Sequence, residues 1–214
     1  AFEMPEGGVT VRVAFGCDGG DLCETHRFGD VDQSQWYHDA VDWAIESGAM
    51  SGYADRDEFG PEDTLTRAQL AAIAFNLAGK PQVEGSADFS DLEDGAWYAN
   101  PVAWAVQEGL FSGYDDSDLF GPNDGLTREQ AAVVLMRWAE LMGLDTSARV
   151  DLSAYPDAAD TSGWAEDALS WAVASGVLNG FEAEDGTRSL APQVVCSRAQ
   201  IAALLMNWFE SIGQ

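Results

Sequence analysis

The stretch Leu65-Thr66-Arg67-Ala68-Gln69-Leu70 decides the fold, because the chain contains it three times in related form. The second copy is Leu126-Thr127-Arg128-Glu129-Gln130-Ala131, and the third is Cys196-Ser197-Arg198-Ala199-Gln200-Ile201. The Thr or Ser of each copy suits a helix N-cap, and the Gln three residues later suits the reciprocal half of a capping box. Each copy is therefore predicted to begin a helix.

An apolar run with helical spacing follows each cap, as in Leu70, Ile73, Ala74 and Leu77. The pattern predicts three long helices, over residues 66–78, 127–142 and 197–212.

The Arg after each cap is not explained by helix formation. A cation at the first helical position faces the positive end of the helix dipole, which costs about 0.3–1 kcal/mol. The free N–H groups of a helix start favour an anion, and an Arg fork suits a carboxylate or a phosphate. Arg67, Arg128 and Arg198 are therefore predicted to bind an anionic ligand or, alternatively, to form structural salt bridges.

The charge balance restricts the partners. The 214 residues include 37 Asp and Glu against 10 Lys and Arg, a formal net charge of −27. Such a chain would be repelled by nucleic acid and by anionic membrane surfaces. No apolar run reaches the length of a membrane span. The composition is typical of a folded, soluble protein that is exposed to salt or to a cation-rich wall.

The N-terminal extension, residues 1–27, stands apart from the rest. Apolar and polar residues alternate over Val9–Phe15, as in a short strand. Cys17 and Cys23 flank an Asp/Gly-rich loop and could pair as a disulfide. Cys196 is then expected to be a small buried residue. His26 and His38 show no metal-like or catalytic constellation, so the sequence predicts no metal and no cofactor.

From residue 28 onward the chain consists of three units with matching landmarks. The tryptophans at 36, 97 and 164 step by 61 and then 67 residues, and the arginines at 67, 128 and 198 step by 61 and then 70. A fixed period indicates supersecondary units stacked on copies of themselves. The units are predicted at residues 28–80, 88–143 and 154–212.

Each unit is predicted to contain a short helix before the long one. Its N-caps are expected at Asp39, Asn100 and Asp167. Its C-terminal glycines are expected at Gly48, Gly109 and Gly176. The tryptophans inside this helix are expected in the core: Trp43, Trp104 and Trp171. Acidic loops such as residues 115–118 fit a solvated turn better than a calcium site.

Taken in order, these motifs resemble the S-layer homology domain. The resembling features are Phe-x-Asp-Val, then Trp, then Gly-x-x-x-Gly-Tyr, an Asp-rich turn and Leu-Thr-Arg-Ala-Gln. The resemblance covers about residues 28–212 and implies an all-α fold, in which three helix–loop–helix repeats close into a pseudo-threefold bundle. Members of the family anchor proteins non-covalently to secondary cell-wall polysaccharides, and many recognise a sugar that bears a pyruvate ketal.

The resemblance implies four sets of ligand-binding residues, in grooves between repeats. The carboxylate of the ligand is expected to pair with Arg67, Arg128 and Arg198. Sugar hydroxyls are expected to bind Asp30, Asp91 and Asp157, although a local cap or turn is an equal alternative. The backbone is expected to approach the ligand at Gly52, Gly113 and Gly180. A sugar face is expected to pack on Trp36, Trp97 and Trp164.

Two departures from the family pattern bear on the site. The family usually has Glu at the positions of Gln69, Gln130 and Gln200, and the third repeat has a longer loop that contains Arg188. The third groove is therefore expected to be reshaped or silent. Gln retains the capping box, so the helix starts are expected to survive.

The expected function is a non-enzymatic anchor at the bacterial cell surface, part of a larger surface protein. It is expected to bind an acidic wall glycan, such as a pyruvylated one. The alternative is a protein–protein or self-assembly module of a surface layer. An enzyme is a third, weaker reading, because no nucleophile elbow, phosphate loop or zinc motif is visible.

Overall fold

The computed structural model describes residues 23–183 and 185–212, without the side chains of Glu24 and Ile212. The predicted strand Val9–Phe15 and Cys17 lie outside these residues. The described helices are α1 (His38–Glu46), α2 (Arg67–Leu77), α3 (Ala99–Gln107), α4 (Arg128–Leu141), α5 (Glu166–Ala174) and α6 (Arg198–Ile212).

The predicted all-α class is confirmed. The only sheet in the described part of the chain is a hairpin in the third repeat, in which β1 (Phe181–Glu182) pairs antiparallel with β2 (Arg188–Ser189). Short 3-10 turns precede helices of the first and third repeats: Glu24–Arg27, Leu152–Ala154 and Ala158–Asp160. None of the helices in the described ranges is long and apolar enough to cross a membrane.

The long helices α2, α4 and α6 begin as predicted. At α2, the Thr66 side chain accepts from the Gln69 N–H at 3.3 Å, and the Gln69 side chain accepts from the Thr66 N–H at 2.9 Å. The same reciprocal pairs join Thr127 to Gln130 and Ser197 to Gln200. The capping box therefore survives the change from Glu to Gln.

The short helices α1, α3 and α5 begin earlier than predicted. Their N-caps are Tyr37, Tyr98 and Ala165, which make no side-chain cap hydrogen bond. The predicted caps, Asp39, Asn100 and Asp167, instead occupy the second helical position, so this prediction is wrong. The cap residues are all buried, so tertiary packing rather than a polar cap fixes these starts. The glycines that end the helices have φ of +72°, +74° and +77°, as a left-handed C-terminal position requires.

Helices pack between repeats and not within them. The short helix α3 of the second repeat packs on α2 of the first, and α5 of the third packs on α4 of the second. The short helix α1 of the first repeat packs on α6 of the third, which closes a ring. The main helix–helix contacts therefore join neighbouring repeats, as is usual for a repeat architecture.

A backbone triangle lies at the centre of this ring. The Leu65 N–H donates to the Cys196 carbonyl at 3.0 Å, the Leu126 N–H to the Leu65 carbonyl at 3.0 Å, and the Cys196 N–H to the Leu126 carbonyl at 2.8 Å. All three residues are fully buried, as predicted for Cys196. The inner tryptophans Trp43, Trp104 and Trp171 are also buried, so their assignment to the core is confirmed.

Candidate ligand-binding grooves

The motif arginines connect successive repeats. Arg67, in the first repeat, is 6% exposed. Its Nε donates to the Phe120 carbonyl at 2.8 Å, and its Nη2 donates to the Ser112 carbonyl at 2.8 Å, both in the second repeat. Backbone carbonyls thus take the positions that a bidentate carboxylate would occupy.

The other two arginines repeat this arrangement around the ring. Arg128 donates to the carbonyls of Leu190 and Asn179 in the third repeat, at 2.9 and 3.1 Å. Arg198 donates to the carbonyls of Phe59 and Ser51 in the first repeat, at 2.8 and 2.6 Å. No carboxylate in the described residues forms a salt bridge with these arginines, so the structural salt-bridge alternative is wrong.

The helix starts do not present free N–H groups. At α2, the Arg67 N–H donates to the Asp124 carbonyl at 3.0 Å, and the Ala68 N–H donates to the Pro122 carbonyl at 3.1 Å. Equivalent bonds from the neighbouring repeat cover the first two N–H groups of α4 and α6. The prediction of free helix N–H groups for an anion is therefore wrong, because the next repeat supplies the acceptors.

Each guanidinium packs against at least one aromatic ring. The Arg67 Cζ lies 4.8 Å from the centre of the Tyr114 ring, the Arg128 Cζ lies 4.2 Å from that of Phe181, and the Arg198 Cζ lies 4.6 Å from that of Phe59. Burial lowers the pKa of all three arginines from its ordinary value. Within the described residues, Nη1 of each guanidinium donates no hydrogen bond to protein, so it is the nitrogen that a ligand could bind.

The opening-motif aspartates hold the loop that the arginines contact. Asp30 accepts from the Phe59 N–H at 2.9 Å and from the Gly60 N–H at 2.6 Å. Asp91 and Asp157 accept equivalent pairs in their own repeats. The backbone of Phe59 therefore donates its N–H to Asp30 in the same repeat and accepts at its carbonyl from Arg198 in the third repeat. This loop thus links the first and third repeats.

The glycines of the Gly-aromatic turn provide space for a ring. A Cβ at Gly52 would lie 2.1 Å from Cε1 of Phe28, and one at Gly113 would lie 2.3 Å from Cε1 of Phe89. A Cβ at Gly180 would lie 2.9 Å from the Ser189 carbonyl oxygen. Packing in the repeat therefore accounts for these glycines without a ligand.

The turn tryptophans are the prominent exposed apolar side chains. Trp36, Trp97 and Trp164 are 63%, 62% and 59% exposed. Trp36 and Trp97 pack edge-on against Tyr37 and Tyr98 at 5.5 and 5.4 Å, which fixes the orientation of each indole.

Two of the tryptophans border grooves between repeats. The Trp164 groove has a volume of about 230 Å³ and is lined by Arg67, Ser112, Gly113, Tyr114 and Arg137, among others. The Trp97 groove has a volume of about 430 Å³ and is lined by Ser51, Gln69, Lys80 and Arg198, among others. Three different repeats thus contribute to each groove. One supplies an Arg, another a tryptophan, and the third a residue in or next to the Gly-aromatic turn, which is Gly113 in the Trp164 groove and Ser51 in the Trp97 groove.

The structure separates the predicted site residues into two groups. Arg67, Gly113 and Trp164 come together in one groove, whereas the opening-motif aspartates are not among the residues that line either groove. Two basic residues that line the grooves, Arg137 and Lys80, were not among the predicted site residues. Arg137 lies nine residues after Arg128, where the other long helices have Asn76 and Asn207, so comparing the repeats position by position could have found it.

Comparison with known proteins finds three repeats in the same order along the chain. The model of the S-layer homology domain matches residues 27–71, 88–132 and 154–202. The surface-layer 125 kDa protein of Lysinibacillus sphaericus is 34% identical over 84% of this chain and 14% of its own length. The cellulosome-anchoring protein of Acetivibrio thermocellus is 30% identical over 71% of this chain and 33% of its own length.

Other relatives have enzyme names. The exoglucanase XynX of Acetivibrio thermocellus is 27% identical over 89% of this chain, which corresponds to 17% of that protein. The chain thus spans only a minor part of each of these relatives. The ring of three matching units and the three family matches lead to one conclusion: the chain belongs to the S-layer homology domain family.

Proposed function

We propose that this chain is a non-enzymatic module that anchors a larger surface protein to the bacterial cell wall. Its ligand is an acidic wall polysaccharide, with a pyruvate ketal as the preferred anionic group. The module acts outside the cell, and it binds the glycan in the grooves between repeats.

The content of the Trp164 groove carries the proposal. An exposed indole faces the same space as two guanidinium groups, those of Arg67 and Arg137, although the whole chain has only 10 basic residues. An indole suits the apolar face of a sugar, and a guanidinium suits a carboxylate. A ketal carboxylate on a terminal sugar combines both features in one ligand.

Arg137 distinguishes this groove from the others. Its Nη1 makes a 3.3 Å hydrogen bond to the Leu110 carbonyl, and its other nitrogens make no hydrogen bond to protein in the described chain. The asparagines at the equivalent positions, Asn76 and Asn207, have no charge. We therefore propose the Trp164 groove as the main acid-binding site and the Trp97 groove, which contains Lys80, as a second one.

The net charge of −27 does not prevent this binding. Charges beyond the Debye length of about 8 Å are largely screened at physiological ionic strength, whereas contacts inside a groove are not. The names of the relatives give further support, since they include a surface-layer protein and a cellulosome-anchoring protein. The exoglucanase shares only 17% of its length with this chain, which supports a module without catalytic activity.

Calorimetry with purified wall polysaccharide tests the proposal. The polymer would carry pyruvate ketals and be compared with the same polymer after mild acid hydrolysis of the ketals. Arg137→Asn gives α4 the uncharged residue that α2 and α6 have at the equivalent positions. We expect it to weaken binding about tenfold, which corresponds to the loss of one charge-assisted hydrogen bond. Trp164→Ala is expected to have a similar effect.

Trp36→Ala is the matched control, because it removes an equally exposed indole that borders neither of the two grooves. Binding that is lost with the ketals and with Arg137 supports the proposal. Binding that is indifferent to both changes would contradict the acidic ligand. Absence of binding, together with self-association in sedimentation experiments, would favour the surface-assembly alternative.

A further inference from the structure

A compact group of metal-binding side chains lies where the first 3-10 turn meets α1. The ligand atoms of Cys23, His26 and His38 all lie within 4.8 Å of one another. None of these residues lines the Trp97 or the Trp164 groove, so the group is separate from the proposed glycan site. From the sequence, His26 and His38 were predicted to belong to no metal site.

The spacing of these residues is that of a metal site built from two short segments. Cys23 and His26 are separated by two residues in the 3-10 turn, and His38 and Asp42 are separated by three residues on α1. The turn packs directly against α1. Pairs of ligands with two to five intervening residues, one pair from a turn and one from a helix, are typical of structural zinc sites.

Asp42 is a buried carboxylate in this group. It is 5% exposed, and it accepts from the Cys23 Sγ at 2.9 Å and from the Thr25 hydroxyl at 2.6 Å. No Lys or Arg in the described residues forms an ion pair with it. A buried carboxylate is costly unless a cation or a metal ion balances it, and a divalent ion at this position would do so.

His38 is oriented as a metal ligand would be. Its Nε2 lies 3.9 Å from the Cys23 Sγ, and its Nδ1 lies 3.7 Å from Oδ2 of Asp42. The Nε2 side of the ring therefore faces the Cys23 sulfur, and it also lies 3.2 Å from the Thr25 hydroxyl. Since His38 is 3% exposed and His26 is only partly buried, the group is enclosed on one side and accessible on the other.

We propose that Cys23, His26, His38 and Asp42 form a structural site for a borderline-soft divalent cation of the Zn²⁺ type. Metal–ligand bonds of 2.0–2.3 Å place tetrahedral ligands roughly 3.3–3.8 Å apart. The ligand atoms of Cys23, His26 and His38, which lie within 4.8 Å of one another, reach this range with movements of roughly 1 Å. Oδ1 of Asp42 already lies 2.9 Å from the Cys23 Sγ. On binding, the Cys23 thiol releases its proton, and the thiolate and the Asp42 carboxylate together neutralise the ion.

The donor set selects the class of metal. Sulfur and imidazole ligands favour Zn²⁺ and related ions, whereas Ca²⁺ and Mg²⁺ prefer oxygen alone. The ion would fasten the segment that precedes the first repeat to α1, and α1 in turn packs on α6. The site therefore lies next to the junction that closes the ring.

Titration of the complete, reduced and chelator-treated chain with Co²⁺ and then Zn²⁺ tests the proposal. We expect one Co²⁺ per chain, with the strong visible absorption of tetrahedral cobalt and a thiolate-to-cobalt charge-transfer band. Zn²⁺ is expected to displace the cobalt. Cys23→Ser is expected to abolish the charge-transfer band, and both Cys23→Ser and His26→Gln are expected to weaken binding by roughly 100-fold or more, at least as much as loss of an outer-shell partner.

Cys196→Ala is the matched control, because it removes the other described thiol and should leave the spectrum unchanged. Far-ultraviolet circular dichroism confirms that each variant is folded, and the spectrum of the parent chain tests the site without any variant. The proposal is overturned if the parent chain binds no stoichiometric cobalt, if the band persists in Cys23→Ser, or if mass spectrometry of the chain isolated without reductant finds a Cys17–Cys23 disulfide.

Discussion

Replacing Arg198 by Met should destabilise the whole ring. Arg198 makes two buried, charge-assisted hydrogen bonds, at 2.8 Å to the Phe59 carbonyl and at 2.6 Å to the Ser51 carbonyl. Bonds to charged groups contribute roughly 1.5–3 kcal/mol each, so their loss costs about 3–6 kcal/mol. Removing the buried charge returns part of this cost, since the guanidinium no longer has to be desolvated. We therefore expect the free energy of unfolding to fall by about 2–5 kcal/mol, a large part of the roughly 5–15 kcal/mol of a typical domain.

Urea unfolding followed by tryptophan fluorescence measures this change. Arg56→Met is the matched control, because Arg56 is 46% exposed and pairs with Glu58 and Asp63 at the surface. Exposed pairs contribute about 0–1 kcal/mol, so the control should remain close to the parent. Arg198→Lys should lie between the two, because an ammonium group has no planar fork to reach both carbonyls.

The reasoning would be refuted by Arg198→Met unfolding within about 0.5 kcal/mol of the parent, the range of ordinary surface substitutions. That result would mean that the guanidinium is present for a ligand and not for the ring. A reduced dependence on urea concentration would be a separate finding, since it would show that the repeats no longer unfold together.

Two further predictions concern packing and the core thiol. Gly113→Ala should cost about 1–3 kcal/mol in the same unfolding assay, because its Cβ would lie 2.3 Å from Cε1 of Phe89. At Gly163 an added Cβ would have no atom within 4 Å, and φ is not positive, so Gly163→Ala should change stability by less than about 1 kcal/mol. Equal effects of the two substitutions would contradict the close packing of Phe89 on Gly113. Burial raises the pKa of the Cys196 thiol to about 12. A raised thiol pKa means less thiolate at neutral pH, so iodoacetamide should label Cys196 in urea but not in the native chain, and rapid native labelling would contradict its burial.

The local structure could be predicted from the sequence, because its signals are short-range. The capping boxes at Thr66 and Thr127 lie within four residues, and the glycines that end the short helices follow from backbone conformation alone. The cap prediction at Asp39 was wrong, because burial of Tyr37 determines that helix start. Short-range sequence signals therefore do not locate a helix start that is determined by tertiary packing.

The partners of the motif arginines could not be predicted. Their acceptors are main-chain carbonyls, which have no sequence signature, and those of Arg198 lie 139 and 147 residues away. The resemblance indicated a carboxylate ligand for these arginines, and in the described residues Nη1 of each donates no hydrogen bond to protein. The cluster at Cys23 did have a sequence signal, since His38 and Asp42 have helical i, i+4 spacing, but its two halves are joined only by packing.

The closed ring has a consequence for how the chain folds during synthesis. Repeats of an open array can fold one after another. In this ring the Leu65 N–H cannot form its hydrogen bond until Cys196 has been synthesised, 131 positions later (196 − 65 = 131). Pairings over such separations slow folding, because loop closure comes before any contact energy is gained. At a synthesis rate of roughly 5–20 residues per second, the first repeat spends several seconds without its final partner. The acidic surface, by mutual repulsion, would keep such unfinished chains apart.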